Sequence, residues 1–311
     1  MTYCDTRTKD ELFTDFELYS RALIVSKDVD PTYPLIKDII EEYEFDPEWF
    51  VFCYVAFYSI ETAIKMCFQM KTREKWDEDM FRNLRETKHL SKFNHERRGS
   101  CRNIDNQVKL FDGALRFLDW YDSQLHITNS LFRTALEKTP FHGAWASFKI
   151  AEVFEKSLGA TDLSIPDLGL EGRDPNKNDG PIGGLRWLYG RDNTYYKEHF
   201  TEFNRFGFNL AKAWGVDIGE VETCLCKWHK MNTGKYFIGH DIQEFVELRE
   251  VLGEERYDRL MVKNFDPVFW KGVDKLDKGA KKKYTTTGKI LNWKFSQELP
   301  KINVLDILMK S

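Results

Sequence analysis

The sequence predicts an all-α fold, on three observations. Prolines are scarce, 9 in 311 residues, so few positions forbid a helix from continuing. Bulky side chains are abundant, with 24 Phe, 13 Tyr and 9 Trp to fill the space between helices. Apolar residues recur at spacings of three and four, and there is no long alternating run of the kind a half-buried strand shows. Hydrophobic residues at 42% and charged residues at 31% exclude a disordered or collagen-like chain. A net charge of -4 supplies no general pull towards nucleic acid, so any such contact must come from local patches.

Along the chain, Asp10 to Leu23 and Tyr33 to Tyr43 read as the first two helices. Asp46-Pro47 then offers a capping carboxylate and a proline suited to the first helical position. The segment they introduce, Trp49 to Met70, is apolar on most faces and is expected to be one central helix. Asp77 to Lys92, Asn103 to Leu118 and Trp145 to Leu158 follow, the last stopped by Gly159 in a left-handed cap. Asn193-Thr194 can cap a helix running to Trp214. Asp217 with Glu220 forms a capping-box pattern ahead of an apolar seam of Ile218, Val221, Leu225 and Trp228. Asp241 to Leu252 and Glu254 to Val262 complete the set.

Residues 160–193 lack periodicity, and a loop of that length inside a compact protein is commonly functional. The tail from Lys271 carries Lys275, Lys278, Lys281, Lys282, Lys283, Lys289 and Lys294; solvated surface is the ordinary reading and a phosphate-contacting strip the sharper one. The expected organisation is an N-terminal helical region over 1–95, a catalytic helical core over 96–264 and a basic tail over 265–311. Six cysteines are too few for a disulfide scaffold and no secretory segment follows Met1, so a reducing cytoplasm is expected. Trp49 to Ile60 is too short to cross a membrane, which takes about 20 residues.

Four segments carry candidate chemistry. Gly180-Pro181-Ile182-Gly183-Gly184-Leu185-Arg186 precedes a short helical pattern, and backbone N–H groups at such a start can face a phosphate. It is neither a Walker loop nor a dinucleotide fingerprint. Glu222, Cys226 and His229 share one stripe of the following helix, with Lys230 near its end. A metal there would usually bring a second ligand pair, so no metal is expected, and a carboxylate with a lysine for proton transfer and phosphate contact fits better. His142 stands just before the helix that carries Lys149; a lone histidine there is ordinarily structural. Arg97 and Arg98 form a compact basic cluster with Lys92, His95 and Arg102.

The order of these pieces matters more than any one of them. Trp145-Ala146-Ser147-Phe148-Lys149-Ile150-Ala151, a long loop, Asp179-Gly180-Pro181 and Glu222-Thr223-Cys224-Leu225-Cys226-Lys227-Trp228-His229-Lys230 follow one another. In this arrangement the chain resembles the α-glutamyl/putrescinyl-thymine pyrophosphorylase group and the related amino acid:DNA transferases of bacteriophages, over roughly residues 140–245. The resemblance implies an all-helical, bilobal architecture related to the helix-hairpin-helix DNA glycosylases. It implies DNA whose thymine has become 5-pyrophosphoryloxymethyluracil, and replacement of that pyrophosphate by an amine. It carries over Gly180, Pro181 and Gly184 of the turn and Glu222, Leu225, Cys226 and Lys230 of the helix. The chain departs from the pattern at Ile182-Gly183, where relatives tend towards Gly-Ala, and at Lys227, which replaces an acidic residue.

On that resemblance, Arg186, Lys149, Arg173, Lys230 and the 180–186 turn, with Gly183 in it, are the candidates to stabilise departing pyrophosphate. Glu222, then His142 and Asp241, are candidates to deprotonate the amine, and Cys226 or Cys224 could add transiently to the pyrimidine ring. The expected partners are DNA containing modified thymine and a free amino acid or polyamine, glycine first, with no membrane. Mg2+ accompanying the pyrophosphate is the one cofactor left open. Two rivals stand beside this reading: a glycosylase-like module that recognises modified bases without transferring anything, and a purely structural helical protein.

Overall fold

The computed structural model describes residues 7–86, 103–170, 180–190, 198–233, 235–267 and 270, and these are helical with no strand among them. The chain divides into two compact units. The first draws on Met1–Pro31, Pro166–Phe245 and Phe265–Ser311; the second on Thr32–Ile165 and Val246–Asn264.

In the first unit, α1 (Lys9–Val25) starts from a full capping box in which Thr8 and Glu11 exchange hydrogen bonds. Its inward face carries Phe13, Phe16, Tyr19 and Leu23. Phe16 meets Trp214 and Trp228 at ring separations of 5.8 and 5.2 Å, and Phe13 meets Tyr189 edge-on at 6.1 Å. Those partners lie on α9 (Gly180–Tyr189), α10 (Phe200–Trp214) and α11 (Ile218–Asn232). The Trp228 indole N–H donates to Asp15 Oδ2 at 3.0 Å, so the tryptophan is buried with its polar atom satisfied. A short helix, α12 (His240–Glu244), completes the unit's described helices.

The second unit contains α2 (Thr32–Tyr43), α3 (Pro47–Phe57), α4 (Ile60–Gln69), α5 (Glu78–Glu86), α6 (Ile104–Asp122), α7 (Asn129–Glu137) and α8 (Ala144–Leu158). Its last pieces are α13 (Leu248–Leu252) and α14 (Glu254–Asn264). An aromatic core runs through it: Phe111 packs against Trp49, Phe57, Trp76 and Phe81, while Phe132 joins Phe117, Tyr121 and Phe154.

The central helix expected over Trp49 to Met70 is two helices. Tyr58 takes a left-handed conformation at φ 52°, and the Ser59 hydroxyl accepts the Thr62 N–H at 3.2 Å to cap α4. Uniform hydrophobicity hid that break, because a serine inside an apolar run carries the only capping signal. The helix expected over Asp241 to Leu252 is likewise interrupted, by a 3-10 turn at Phe245–Glu247. Helix α7, capped by Thr128, was not expected. Asp46, Gly159 and the Asp217–Glu220 box cap as the sequence predicts, and Asn103, expected as the first residue of its helix, instead caps it. Asn193, Thr194 and the tail lysines lie outside the described residues. No described helix is long and apolar enough to cross a membrane.

Candidate functional site

The candidate site of the first unit is built on α11, against which α9 lies closely. The contact depends on glycine. A Cβ on Gly184 would fall 2.5 Å from the Leu225 carbonyl oxygen, and one on Gly183 would fall 2.5 Å from the His229 ring. Both glycines therefore serve helix packing, which the sequence pattern of a phosphate-facing turn does not by itself disclose. The Trp187 indole N–H donates to His229 Nδ1 at 3.1 Å across the same contact. Gly180 opens α9 at φ 55°, a conformation that glycine alone takes without strain. Pro181 and Ile182 behind it are buried, and Arg186 is half-buried on the last turn.

Helix α11 is enclosed on more than its apolar seam. Glu222, Thr223, Cys224 and Lys227 are buried along with Ile218, Val221, Leu225 and Trp228. The Thr223 hydroxyl lies 3.2 Å from Asp30 Oδ1 and 3.4 Å from Glu222 Oε2. Burial pushes the Cys224 thiol well up, so it is protonated at neutral pH, whereas Cys226 is only partly covered. Lys230 stands half-exposed at the end of the helix.

Lys227, noted in the sequence only as a departure from the motif, is the centre of a charged network. Its ammonium is 2.7 Å from Asp241 Oδ2, donates to the Asp28 backbone carbonyl and lies 4.9 Å from the Tyr236 ring centre. The Asp28 carboxylate accepts from the Tyr236 hydroxyl at 2.6 Å, the Gly239 N–H at 2.7 Å and the Ile242 N–H at 3.3 Å. Asp241 turns its other oxygen to His240 Nδ1 at 3.0 Å, and His240 Nε2 is 3.7 Å from Glu244 Oε1.

The charges of this network are strongly perturbed. Burial raises Asp28, with the Asp241 charge adding to it, and the Lys227 ammonium only partly offsets them, leaving a pKa of about 6. Desolvation works against the Asp241 carboxylate, but Lys227 and then His240 hold it well below the usual range. Desolvation also works against the Lys227 ammonium, and Asp241, Asp28 and Asp30 outweigh it and raise it. His240 is raised too, because its hydrogen bond and attraction to Asp241, with Glu244 behind, exceed its desolvation.

The predicted residues thus fall into three groups. Glu222, Cys226, Lys230, Asp241, Gly180, Pro181, Gly183, Gly184 and Arg186 all belong to the first unit. Lys149 and His142 belong to the second. There the Lys149 ammonium bonds the Tyr33 hydroxyl at 2.8 Å and pairs with the buried Glu152. His142 Nδ1 lies 2.7 Å from the Thr139 hydroxyl oxygen and 2.8 Å from the Pro140 carbonyl, and its ring meets Phe52 edge-on. The Thr139 hydroxyl donates to the Leu136 carbonyl, so Nδ1 is the donor, as in an ordinary structural histidine. Arg97, Arg98 and Arg173 lie outside the described residues.

Asp28, Tyr236 and His240 were not among the expected functional residues. The one signal available was Lys227, a lysine between Leu225 and Trp228 on a helix otherwise built for burial, which demands a buried partner. No protein family, curated protein or solved structure matches the chain.

Proposed function

We propose that the protein is a DNA base-modifying transferase that replaces the pyrophosphate of 5-pyrophosphoryloxymethyluracil in DNA with the amino group of an amino acid, glycine first. The observation that carries this reading is the direct packing of α9 on α11, which joins the Gly180–Arg186 and Glu222–Lys230 motif segments in one unit. The order of the two segments along the chain and their contact in space together support a single shared site.

In this reading the amine nitrogen bonds to the methylene carbon, the carbon–oxygen bond to pyrophosphate breaks, and the nitrogen loses a proton to a base. Glu222 is the base, set on α11 beside Thr223. Arg186, Lys230 and the first-turn N–H groups of α9, from Gly180 and Ile182, draw off the charge that develops on the leaving group. Cys226 is the thiol of the pair with access to a pyrimidine ring. The modified base would reach these groups by leaving the duplex stack. Lys149 and His142 receive no role, because their polar atoms are engaged within the second unit.

The test is to incubate the protein with pyrophosphorylated 5-hydroxymethyluracil DNA and a panel of amines, digest the DNA and analyse nucleosides by mass spectrometry. The expected result is a new amine-bearing nucleoside with stoichiometric pyrophosphate. Release of free base would replace this reading with a glycosylase, and binding without product would replace it with a recognition module. Glu222→Gln is expected to lower transfer by about 100-fold or more while DNA binding persists; full turnover by that variant removes Glu222 as the base.

A further inference from the structure

We propose that Arg21 on α1 anchors the carboxylate of the amino-acid substrate through Nε and Nη2, an assignment that rests on the transfer reading for the identity of its ligand. Arg21 is 3% exposed, and neither of those nitrogens has a hydrogen-bond partner among the described residues. The two form one edge of the guanidinium, a pair of parallel N–H groups that matches both oxygens of a carboxylate. The remaining nitrogen, Nη1, is 3.6 Å from Glu17 Oε1, beyond the range of a good hydrogen bond.

A guanidinium cannot shed its proton to escape burial, as a lysine can. Its charge has to be met by an anion in hydrogen-bond geometry, or burial stays costly. Lys227, also deeply buried in this unit, is matched in that way by Asp241 and by the Asp28 carbonyl. Arg21 presents its edge with no acceptor of the described residues on it, and buried polar groups left so are rare enough to need an explanation. A small carboxylate supplies the missing acceptor. One guanidinium balances one negative charge, so a monocarboxylate fits this edge, whereas a phosphate dianion would leave charge buried without a partner.

The place along the fold suits the substrate. Asp15 and Phe16 of α1 meet Trp228, and Asp30, just beyond α1, meets Thr223. Helix α1 therefore runs antiparallel to α11 and carries Arg21 past the stretch between those contacts, which begins next to Glu222. In an α-amino acid one carbon separates carboxylate from amine, so an anchor for the first orients the second. A polyamine has no oxyanion for this edge, and the assignment thus selects amino acids over polyamines.

Calorimetric titration of the full chain with glycine, methylamine, putrescine and inorganic phosphate, each alone, tests this. The expected result is saturable binding of glycine and none of the other three. Arg21→Lys keeps the charge but not the two-pronged edge and should weaken glycine binding by about tenfold or more. Arg21→Met should lose glycine binding yet unfold at no lower temperature than the ligand-free parent, because it removes a buried charge that lacks a full partner. Failure of the full chain to bind glycine, phosphate binding in its place, or unchanged glycine affinity in Arg21→Met would each overturn the proposal. So would an Arg21→Met protein that unfolds well below the ligand-free parent, since Arg21 would then be a structural partner of Glu17. The transfer reading fails separately: glycine held through Arg21 with no new nucleoside removes the transferase and leaves the anchor, while a new nucleoside formed by Arg21→Met at the parent's KM for glycine removes the anchor and leaves the transferase.

Discussion

At the scale of single residues, the charges inside this protein decide more than its surface pairs do. Glu48 is the clearest case for stability. Burial first, then Asp122 and Asp46, push its carboxyl up to about 7, against the pull of Arg73, whose Nη1 is 3.8 Å away. In the unfolded chain the same group titrates near 4.5. Between those values the folded protein keeps a proton that the unfolded one has released. Stability therefore falls as pH rises from 4.5 to 7 and levels off above. Glu48→Gln removes the charge, so its urea stability should lose that slope and exceed the parent's at pH 8 by about 1 kcal/mol, a value discounted for partial exposure. Equal stability of the two proteins at pH 8 would mean that Glu48 is not held protonated. Asp241 works in the opposite sense and in another window: its carboxyl is held low by Lys227, so its contribution is intact above its ordinary pKa of 3.8 and fades in stronger acid.

At the scale of elements, the contact of α9 with α11 shows what a sequence can and cannot disclose. Capping residues were legible because each acts on its own neighbours: Asp46, Gly159 and Asp217 cap where the sequence places them. The break at Tyr58-Ser59 was not legible, since the residues on both sides are buried and keep the hydrophobic pattern unbroken. Glycines 183 and 184 were legible as a feature but not as to purpose, because the same small residues suit a phosphate and a neighbouring helix alike. Lys227 was legible as a lysine on a buried face, but its pairing with Asp28 and Asp241 was not, because those partners come from segments that sequence spacing cannot relate. The glycine question has a direct test. Gly184→Ala would drive a Cβ against the Leu225 carbonyl and should cost about 2 kcal/mol or more, while Gly143→Ala, with nothing within 4 Å, should stay within about 0.5 kcal/mol. Thermal unfolding of both variants decides it; a Gly184→Ala protein as stable as the parent would separate α9 from the packing role given to it.

At the scale of the whole molecule, the first unit is assembled from pieces far apart in the chain. The turn after α1 supplies Asp28, which ties down Tyr236, Gly239 and Ile242. Helix α1 itself supplies Phe13, Phe16, Tyr19 and Leu23 to the core around Trp214 and Trp228. Removing one large core aromatic costs about 3–5 kcal/mol, and a whole domain has about 5–15 kcal/mol in hand. Loss of α1 therefore exceeds what the remainder can absorb. The segment 166–245, produced without residues 1–31, should show weak helical circular dichroism and no cooperative urea transition. The same segment fused behind residues 1–31 should recover a sigmoidal transition. Cooperative unfolding of 166–245 alone would mean that α9, α10 and α11 carry their own core, and that the network of Asp28 with Lys227 decorates the unit instead of closing it.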